Sequence, residues 1–328
     1  MNADTEHPYD ALQPATILAA VESVGWLCDG RLLPLNSFEN RVYQVGVEDA
    51  SPLVVKFYRP GRWSDGAIAE EHRFAAELAA ADVPVVAPLE RDGRTLFEWQ
   101  GFRFAVFPRR GGRPPELERP GDREWLGRFL GRIHAVGEVR PFETRPCLDV
   151  DTFGNASRSY LLAADWLPHD LRSVYEGVSA DALRETEACF ERAGAVRWIR
   201  VHGDCHLGNV LWTDDGPHFV DLDDCRMAPA IQDLWMLLSG DREEQTVQIS
   251  EIVDAYETFR EFDPRELHLV EALRTLRIMH FAAWLGRRWD DPAFPRAFPW
   301  FGEPRFWEEH ILSLREQIAA MQEPPLAV

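Results

Sequence analysis

The run Val201-His202-Gly203-Asp204-Cys205-His206-Leu207-Gly208-Asn209-Val210-Leu211 constrains this chain more than any other stretch. Two histidines, an acid, two glycines and an asparagine stand between apolar flanks, with Trp198-Ile199 before and Val210-Leu211-Trp212 after. A polar loop held between strand-like runs is how a rigid scaffold presents reactive side chains. A second acidic cluster, Phe219-Val220-Asp221-Leu222-Asp223-Asp224, closes a hairpin whose turn is Asp214-Asp215-Gly216. Asp204 and Asn209 are thus five apart on one loop, and Asp221 lies at the end of the hairpin that follows.

The chain has 328 residues, 45% of them hydrophobic, enough for a sizeable core divided between two domains. No run approaches the roughly 18–20 apolar residues of a membrane span. Residues 1–10 are polar and acidic, unlike a secretion signal, so a cytoplasmic protein is expected. Five cysteines without a C-x-x-C pair point to reduced thiols rather than a disulfide framework, and no zinc-ligand set has standard spacing. The net charge of −20 excludes nucleic acid and anionic membranes as partners. It also requires any phosphate site to be made locally positive.

In chain order, residues 11–30 read as a short amphipathic helix (Ile17, Leu18, Val21, Val24) and a strand entry at Arg31-Leu32-Leu33. The polar turn Asn36-Ser37-Phe38-Glu39-Asn40 opens a hairpin, and Leu53-Val54-Val55-Lys56-Phe57-Tyr58 reads as a strand. Lys56 in mid-strand is either an edge-strand lysine reaching solvent or a functional cation. A helix over 64–81 carries Ile68, Phe74 and Leu78 with Glu70, Glu71 and Glu77. Asp82-Val83-Pro84-Val85 stops it and begins another strand region, Asp92-Gly93-Arg94-Thr95 is a tight turn, and a strand runs over 102–107. The loop 109–115 marks the expected boundary between domains 1–108 and 109–328. Helices are then expected over 122–136, 156–164, 180–194, 229–239, 244–261 and 265–289, with an irregular Pro, Phe and Trp-rich tail over 291–308.

Few parts suffice for phosphoryl transfer: a carboxylate to accept a hydroxyl proton, oxygen ligands for magnesium, and a lysine against the phosphates. Asp204 can be the base, Asn209 and Asp221 the ligands of a hard cation that keeps most of its waters, and Lys56 the phosphate lysine. Glu71 can pair with Lys56 and fix its head. Asp223 reads equally as a second metal ligand and as a structural acid. His202 is read as fixing the loop rather than doing chemistry, and Cys205 as a buried thiol.

Asp-x4-Asn followed by a hairpin and Asp resembles the catalytic and metal-binding segments of eukaryotic-type kinases, and His202-Gly203-Asp204-x-His206-x-Gly208-Asn209 is the form found in the aminoglycoside phosphotransferase and choline kinase-like branch. More closely, Asn36 to Tyr43, Val55-Lys56-Phe57-Tyr58-Arg59-Pro60, the two acidic clusters and Pro229-Ala230-Ile231-Gln232-Asp233-Leu234-Trp235 resemble the stress response kinase A (YihE/RdoA) family. The likeness extends to Trp289–Trp300 and Glu323-Pro324-Pro325. It implies an α+β, bilobal protein kinase-like fold, with a small β-rich nucleotide-binding lobe and a larger helical lobe. It implies a monomeric, ATP- and Mg²⁺-dependent serine/threonine protein kinase of bacterial stress response. Asp204 and Asp221 would be the catalytic acids, Asn209 and Asp221 the metal ligands, and Ser37, Lys56 and Glu71 the nucleotide-side residues. Asp233 would brace the catalytic loop, and the strand over 103–107 would lead its backbone past adenine.

The chain departs from protein kinases at the nucleotide loop, which lacks G-x-G-x-x-G, and at Asp221-Leu222-Asp223 in place of D-F-G, with no A-P-E following. Phosphorylation of an activation loop is therefore not expected. The other readings are a small-molecule kinase of the same fold, acting on an amino alcohol, sugar or aminoglycoside, and a nucleotide-binding regulator without catalysis.

Overall fold

The computed structural model describes residues 9–117, 119, 121–214 and 216–328. The acidic segment 1–8 and Asp215 of the hairpin turn lie outside the described residues. The chain opens with α1 (Pro14–Ser23), β1 (Cys28–Pro34), β2 (Arg41–Val47) and β3 (Leu53–Phe57). Then come α2 (Asp65–Ala80), β4 (Phe97–Trp99), β5 (Phe102–Pro108), α3 (Asp122–Gly137), α4 (Ala156–Ala163) and α5 (His169–Ala193). β6 (Ile199–Val201), β7 (Val210–Thr213), β8 (Gly216–Phe219) and β9 (Arg226–Ala228) follow. The last helices are α6 (Ile231–Trp235), α7 (Arg242–Tyr256), α8 (Val270–Arg287), α9 (Ala293–Ala297) and α10 (Pro304–Gln322).

Two compact units result. One holds residues up to Pro115 together with Gly208–Asp223; the other holds Glu116–Leu207 and Asp224–Val328. The fold is α+β, with a small antiparallel sheet part and a larger helical part.

The first unit is built on a five-stranded antiparallel sheet of order β1-β2-β3-β5-β4. Side chains alternate faces along a strand. Leu53, Val55 and Phe57 of β3, with Phe102, Phe104 and Val106 of β5, bury one face against Ile17, Ala20 and Val21 of α1. Val54, Lys56 and Phe107 therefore point to the opposite face. β3 lies between β2 and β5, with Lys56 opposite Val42 and Ala105, so Lys56 is not an edge-strand lysine. Ser64 caps α2 by accepting from Ala67 N at 3.1 Å. The strand region expected at Val83–Val85 is only a single bridge from Val85 to Phe219, because Pro84 lacks the N–H a continuing ladder needs. The β7–β8 hairpin belongs to this unit, and Val220 N donates to Asn209 O at 3.0 Å, bringing Asn209 and Asp221 to its open end.

Helices dominate the second unit, with the short β6–β9 pair beside them. α5 begins at His169, well before the expected residue 180. Polar residues and Gly177 mask its period, yet Tyr175, Ser179, Ala182, Leu183 and Thr186 form one buried stripe. The tail is not irregular throughout. α10 starts at Pro304, which reads as a breaker but is well placed in a helix's first turn, and it buries Trp307, His310, Ile311, Leu314 and Met321. The helix expected over 229–239 shortens to α6. No helix among the described residues is long and apolar enough to cross a membrane.

Candidate active site

In the first unit the sheet face bearing Lys56 opens on a cavity of about 330 Å³. Its walls are apolar at Leu35, Val42, Val54, Ala75, Val86, Phe107, Leu211 and Leu222. Asn36 and Ser37 of the polar turn, Lys56, Glu71, His72, Arg110, Asn209 and Asp221 are its polar and charged lining residues. Five of the expected site residues, Ser37, Lys56, Glu71, Asn209 and Asp221, thus line a single cavity. β5 is hydrogen-bonded on both sides over much of its length, and it is its end, Phe107 and Pro108 with Arg110 beyond, that reaches the cavity. Apolar walls with a cation and several polar groups among them suit a flat heteroaromatic ring carrying an anionic tail.

Lys56 is buried among three carboxylates. Its Nζ is 2.8 Å from Asp223 Oδ1, 3.2 Å from Asp221 Oδ1 and 3.3 Å from Glu71 Oε1. Burial alone would discharge the ammonium, but Asp223, Glu71 and Asp221 together outweigh it and hold the pKa well above the ordinary lysine value. The cation is therefore permanent, which meets the need for local positive charge in an acidic chain.

Arg62 pairs with the second oxygen of Asp223 and lies 3.6 Å from Glu39 Oε1. Arg59 reaches the same Glu39 oxygen at 3.2 Å and donates to the carbonyls of Glu39 and Phe38 at 2.9 and 3.2 Å. Asn40 Oδ1 accepts from Arg59 N at 3.1 Å. The turn that lacks glycine amides is thus pinned by two arginines; Arg59 belongs to a motif of the family resemblance but had no role assigned, and Arg62 did not stand out in the sequence. The only signal for Arg62 was its place in Arg59-Pro60-Gly61-Arg62, directly after the Lys56 strand.

Asn209 and Asp221 are the oxygen donors suited to a divalent cation here. Asp221 keeps a half-exposed carboxylate and holds φ +59, a left-handed backbone uncommon outside glycine that aims its side chain. One amide and one carboxylate match a hard cation that takes few protein ligands and retains water. Consistent with that sparse set, no group of three or more His, Cys, Asp or Glu forms a metal cage among the described residues. Asp223, by contrast, has both oxygens turned to cations, Lys56 and Arg62.

Asp204 belongs to the second unit. Arg277 of α8 places Nη1 2.6 Å from its Oδ1, and His206 Nε2 stands 3.5 Å from Oδ2. Partial burial would raise the carboxyl pKa, but the His206 and Arg277 contacts prevail and hold it well below the usual carboxylate range. The loop beneath is rigidly held. Asp233, fully buried, accepts from His202 N at 2.7 Å and Gly203 N at 2.8 Å. Gln232 Nε2 donates to Gly203 O at 3.0 Å.

His134 of α3 faces Asp233 through Nε2 at 3.0 Å and the Tyr256 hydroxyl through Nδ1 at 3.0 Å. Burial lowers its pKa, with Asp233 opposing, so the neutral ring with Nε2–H donating to Asp233 satisfies both contacts. His134, Tyr256 and Arg277 were not foreseen, because they come from helices distant in sequence: Arg277 meets Asp204 directly, while His134, backed by Tyr256, meets Asp233 beneath the loop.

The family model described as "Phosphotransferase enzyme family" matches residues 31–270. "Serine/threonine protein kinase RdoA" of Salmonella typhimurium is 45% identical over 323 residues, covering 98% of both chains. "Stress response kinase A" of Escherichia coli strain K12 is 45% identical over 318 residues, covering 97% of this chain and 96% of its own. This chain belongs to the stress response kinase A family. It is a kinase, a phosphotransferase by family. The fold is also that of solved small-molecule kinases. An amicoumacin kinase in complex with AMP-PNP, Ca²⁺ and amicoumacin aligns with a TM-score of 0.71 at 18% identity, covering 98% of this chain and 96% of that one. A microcompartment-associated aminopropanol kinase aligns at 0.68 and 18%, covering 93% and 96%. The chain thus shares its fold with solved enzymes named for quite different acceptors.

Proposed function

We propose that this chain is an ATP- and Mg²⁺-dependent kinase that phosphorylates Ser/Thr hydroxyls of proteins, acting in bacterial stress response. The observation that carries this reading is Lys56, held charged by Asp223, Glu71 and Asp221 inside a cavity that Ser37 and Asn209 also line. The 45% identity to a relative named as a serine/threonine protein kinase supports a protein acceptor.

Ser37 and the pinned turn would hold the nucleotide, and Lys56 its phosphates. Asn209 and Asp221 would hold Mg²⁺, which when bound supplies charge neutralisation at the phosphates. Asp204, ionised, accepts the proton as the acceptor oxygen bonds to the γ-phosphorus and the bond from that phosphorus to the ADP oxygen breaks. The proton then passes to solvent. Asp204 faces the task as a positioned base rather than a strong one, which suits a transition state needing alignment and charge neutralisation above all.

The test is transfer of label from γ-labelled ATP to a generic protein such as casein. Asp204→Asn is expected to lose transfer by about 10³-fold or more while binding ADP as the wild type does. Retained turnover would remove the role of Asp204. The second reading, a small-molecule kinase, is favoured by the solved relatives named for amicoumacin and aminopropanol. Label appearing only in an added amino alcohol or aminoglycoside would establish it instead.

A further inference from the structure

The carboxylate assigned to the acceptor hydroxyl is already engaged by a cation of its own unit. Arg277 Nη1 lies 2.6 Å from Asp204 Oδ1, and its side chain is 42% exposed while Asp204 is 23% exposed. A carboxylate in a charge-assisted hydrogen bond at this distance is a weaker proton acceptor, because the adjacent cation stabilises its ionised form. Oδ1 regains its full basicity toward a hydroxyl proton only as Arg277 changes partner. Leaving a half-exposed guanidinium without a partner, or pressing it against a cation, costs more than handing it to another oxyanion, which its planar fork fits.

We infer that Arg277 is a specificity-determining residue: it selects protein segments that carry an anionic group beside the Ser/Thr hydroxyl, the guanidinium passing from Asp204 to that group as the hydroxyl takes its place. The inference rests on the kinase reading above and names the acceptor class for the same site. It runs against what the net charge of −20 alone suggests, a preference for cationic acceptors. The diffuse field of the chain is screened over about 8 Å in physiological salt, whereas a contact at hydrogen-bonding distance is not. A carboxylate and a phosphate share the required chemistry, so the flanking group is either an acidic residue or one already phosphorylated.

The experiment uses the full chain and four synthetic peptides with one Ser in a common neutral frame, flanked by Glu, phosphothreonine, Gln or Lys. kcat/KM is expected to be about tenfold higher for the Glu and phosphothreonine peptides than for Gln, and lowest for Lys, a span set by one charge-assisted contact. Whichever anionic peptide is the better substrate identifies the source of the anion. In Arg277→Gln the ranking should collapse to within about twofold through loss of the anionic peptides' advantage, while ADP binds as to the wild type, an outcome no loss of folding would give. Arg277→Ala, a substitution a helix tolerates well, replaces it if the Gln variant does not fold.

A flat or reversed ranking in the wild type, or the same ranking kept in the variant, overturns the inference. If no peptide is phosphorylated at all, the kinase reading fails. The inference is then decided by the affinities of the same labelled peptides measured by fluorescence anisotropy. An anion preference lost in Arg277→Gln supports it, and no such preference overturns it.

Discussion

Lys56 Nζ stands closer to Asp223 Oδ1, at 2.8 Å, than to Asp221 or Glu71, and Arg62 holds the other Asp223 oxygen. Asp223 is thus the common counter-ion of two cations, one in the cavity and one pinning the polar turn. A buried carboxylate with both oxygens facing cations is a poorer metal ligand than the half-exposed Asp221. The geometry weighs the open alternative for Asp223 toward a structural acid.

Asp223→Asn is accordingly expected to cost about 3 kcal/mol of stability, the size of breaking a buried pair, without changing the Mg²⁺ concentration at which ADP binding is half-restored. Asp221→Asn should do the reverse, shifting the Mg²⁺ dependence with little loss of stability. Urea unfolding and calorimetric titration of ADP against Mg²⁺ measure the two effects. An Asp223 variant whose Mg²⁺ requirement rises tenfold would make Asp223 a ligand after all.

Lys56→Met removes the cation from among three carboxylates and leaves Glu71 and Asp223 buried beside a thioether. ADP affinity should fall at least about tenfold, with stability lower by about 3 kcal/mol. Because the ammonium that favoured their ionised forms is gone, these acids take up protons more readily, and part of the stability should return as pH is lowered toward 5, unlike in the wild type. Thermal melts across pH with and without ADP would show this. Unchanged nucleotide affinity would mean that Lys56 is a structural cation only.

Gly203 holds φ +84, and a Cβ there would collide with the carbonyl oxygen of Asp224. Gly203→Ala meets both backbone strain and a fixed neighbour, so a loss of about 2–4 kcal/mol is expected, together with loss of transfer through displacement of Asp204. Denaturant unfolding and the labelled-ATP assay together check it. A variant of wild-type stability would show that the loop can relax without Asp233, which ties both His202 N and Gly203 N.

How much of this could be read from the residues differs by element. Alternation along Leu53–Phe57 already sets Lys56 against Leu53, Val55 and Phe57, so the cavity face of the sheet was legible, as were Glu71 and the hairpin joining Asn209 to Asp221. What escaped were long-range contacts to side chains with no local signature. Arg62 meets Asp223 across 161 residues, His134 meets Asp233 across 99, and Arg277 meets Asp204 across 73. α10 escaped for a different reason: Pro304 and the aromatic residues around it look irregular, although Pro in the first turn costs no hydrogen bond and Trp307, Ile311 and Leu314 share one face.

His310 provides a prediction independent of the active site. Its ring is buried between Tyr175 and Phe306, stacked on each, and burial alone lowers its pKa from 6.5 to about 4. Between those values the unfolded chain binds a proton that the folded chain refuses, so this group lowers stability progressively as pH falls from about 6.5, and its effect is complete near 4. The loss amounts to about 3 kcal/mol from one side chain. Glu266, whose carboxyl burial pushes up to about 7, acts in the opposite direction over an overlapping window, because there the folded chain binds the extra proton. Wild-type stability alone therefore conceals both. The comparison is His310→Phe against wild type, since Phe keeps the stacking and cannot charge. The variant should match the wild type in stability above pH 7 to within about 1 kcal/mol and exceed it increasingly down to pH 4, as read by urea unfolding at each pH. Parallel pH profiles for the two proteins would show that His310 takes up its proton in the folded chain as readily as in the unfolded one.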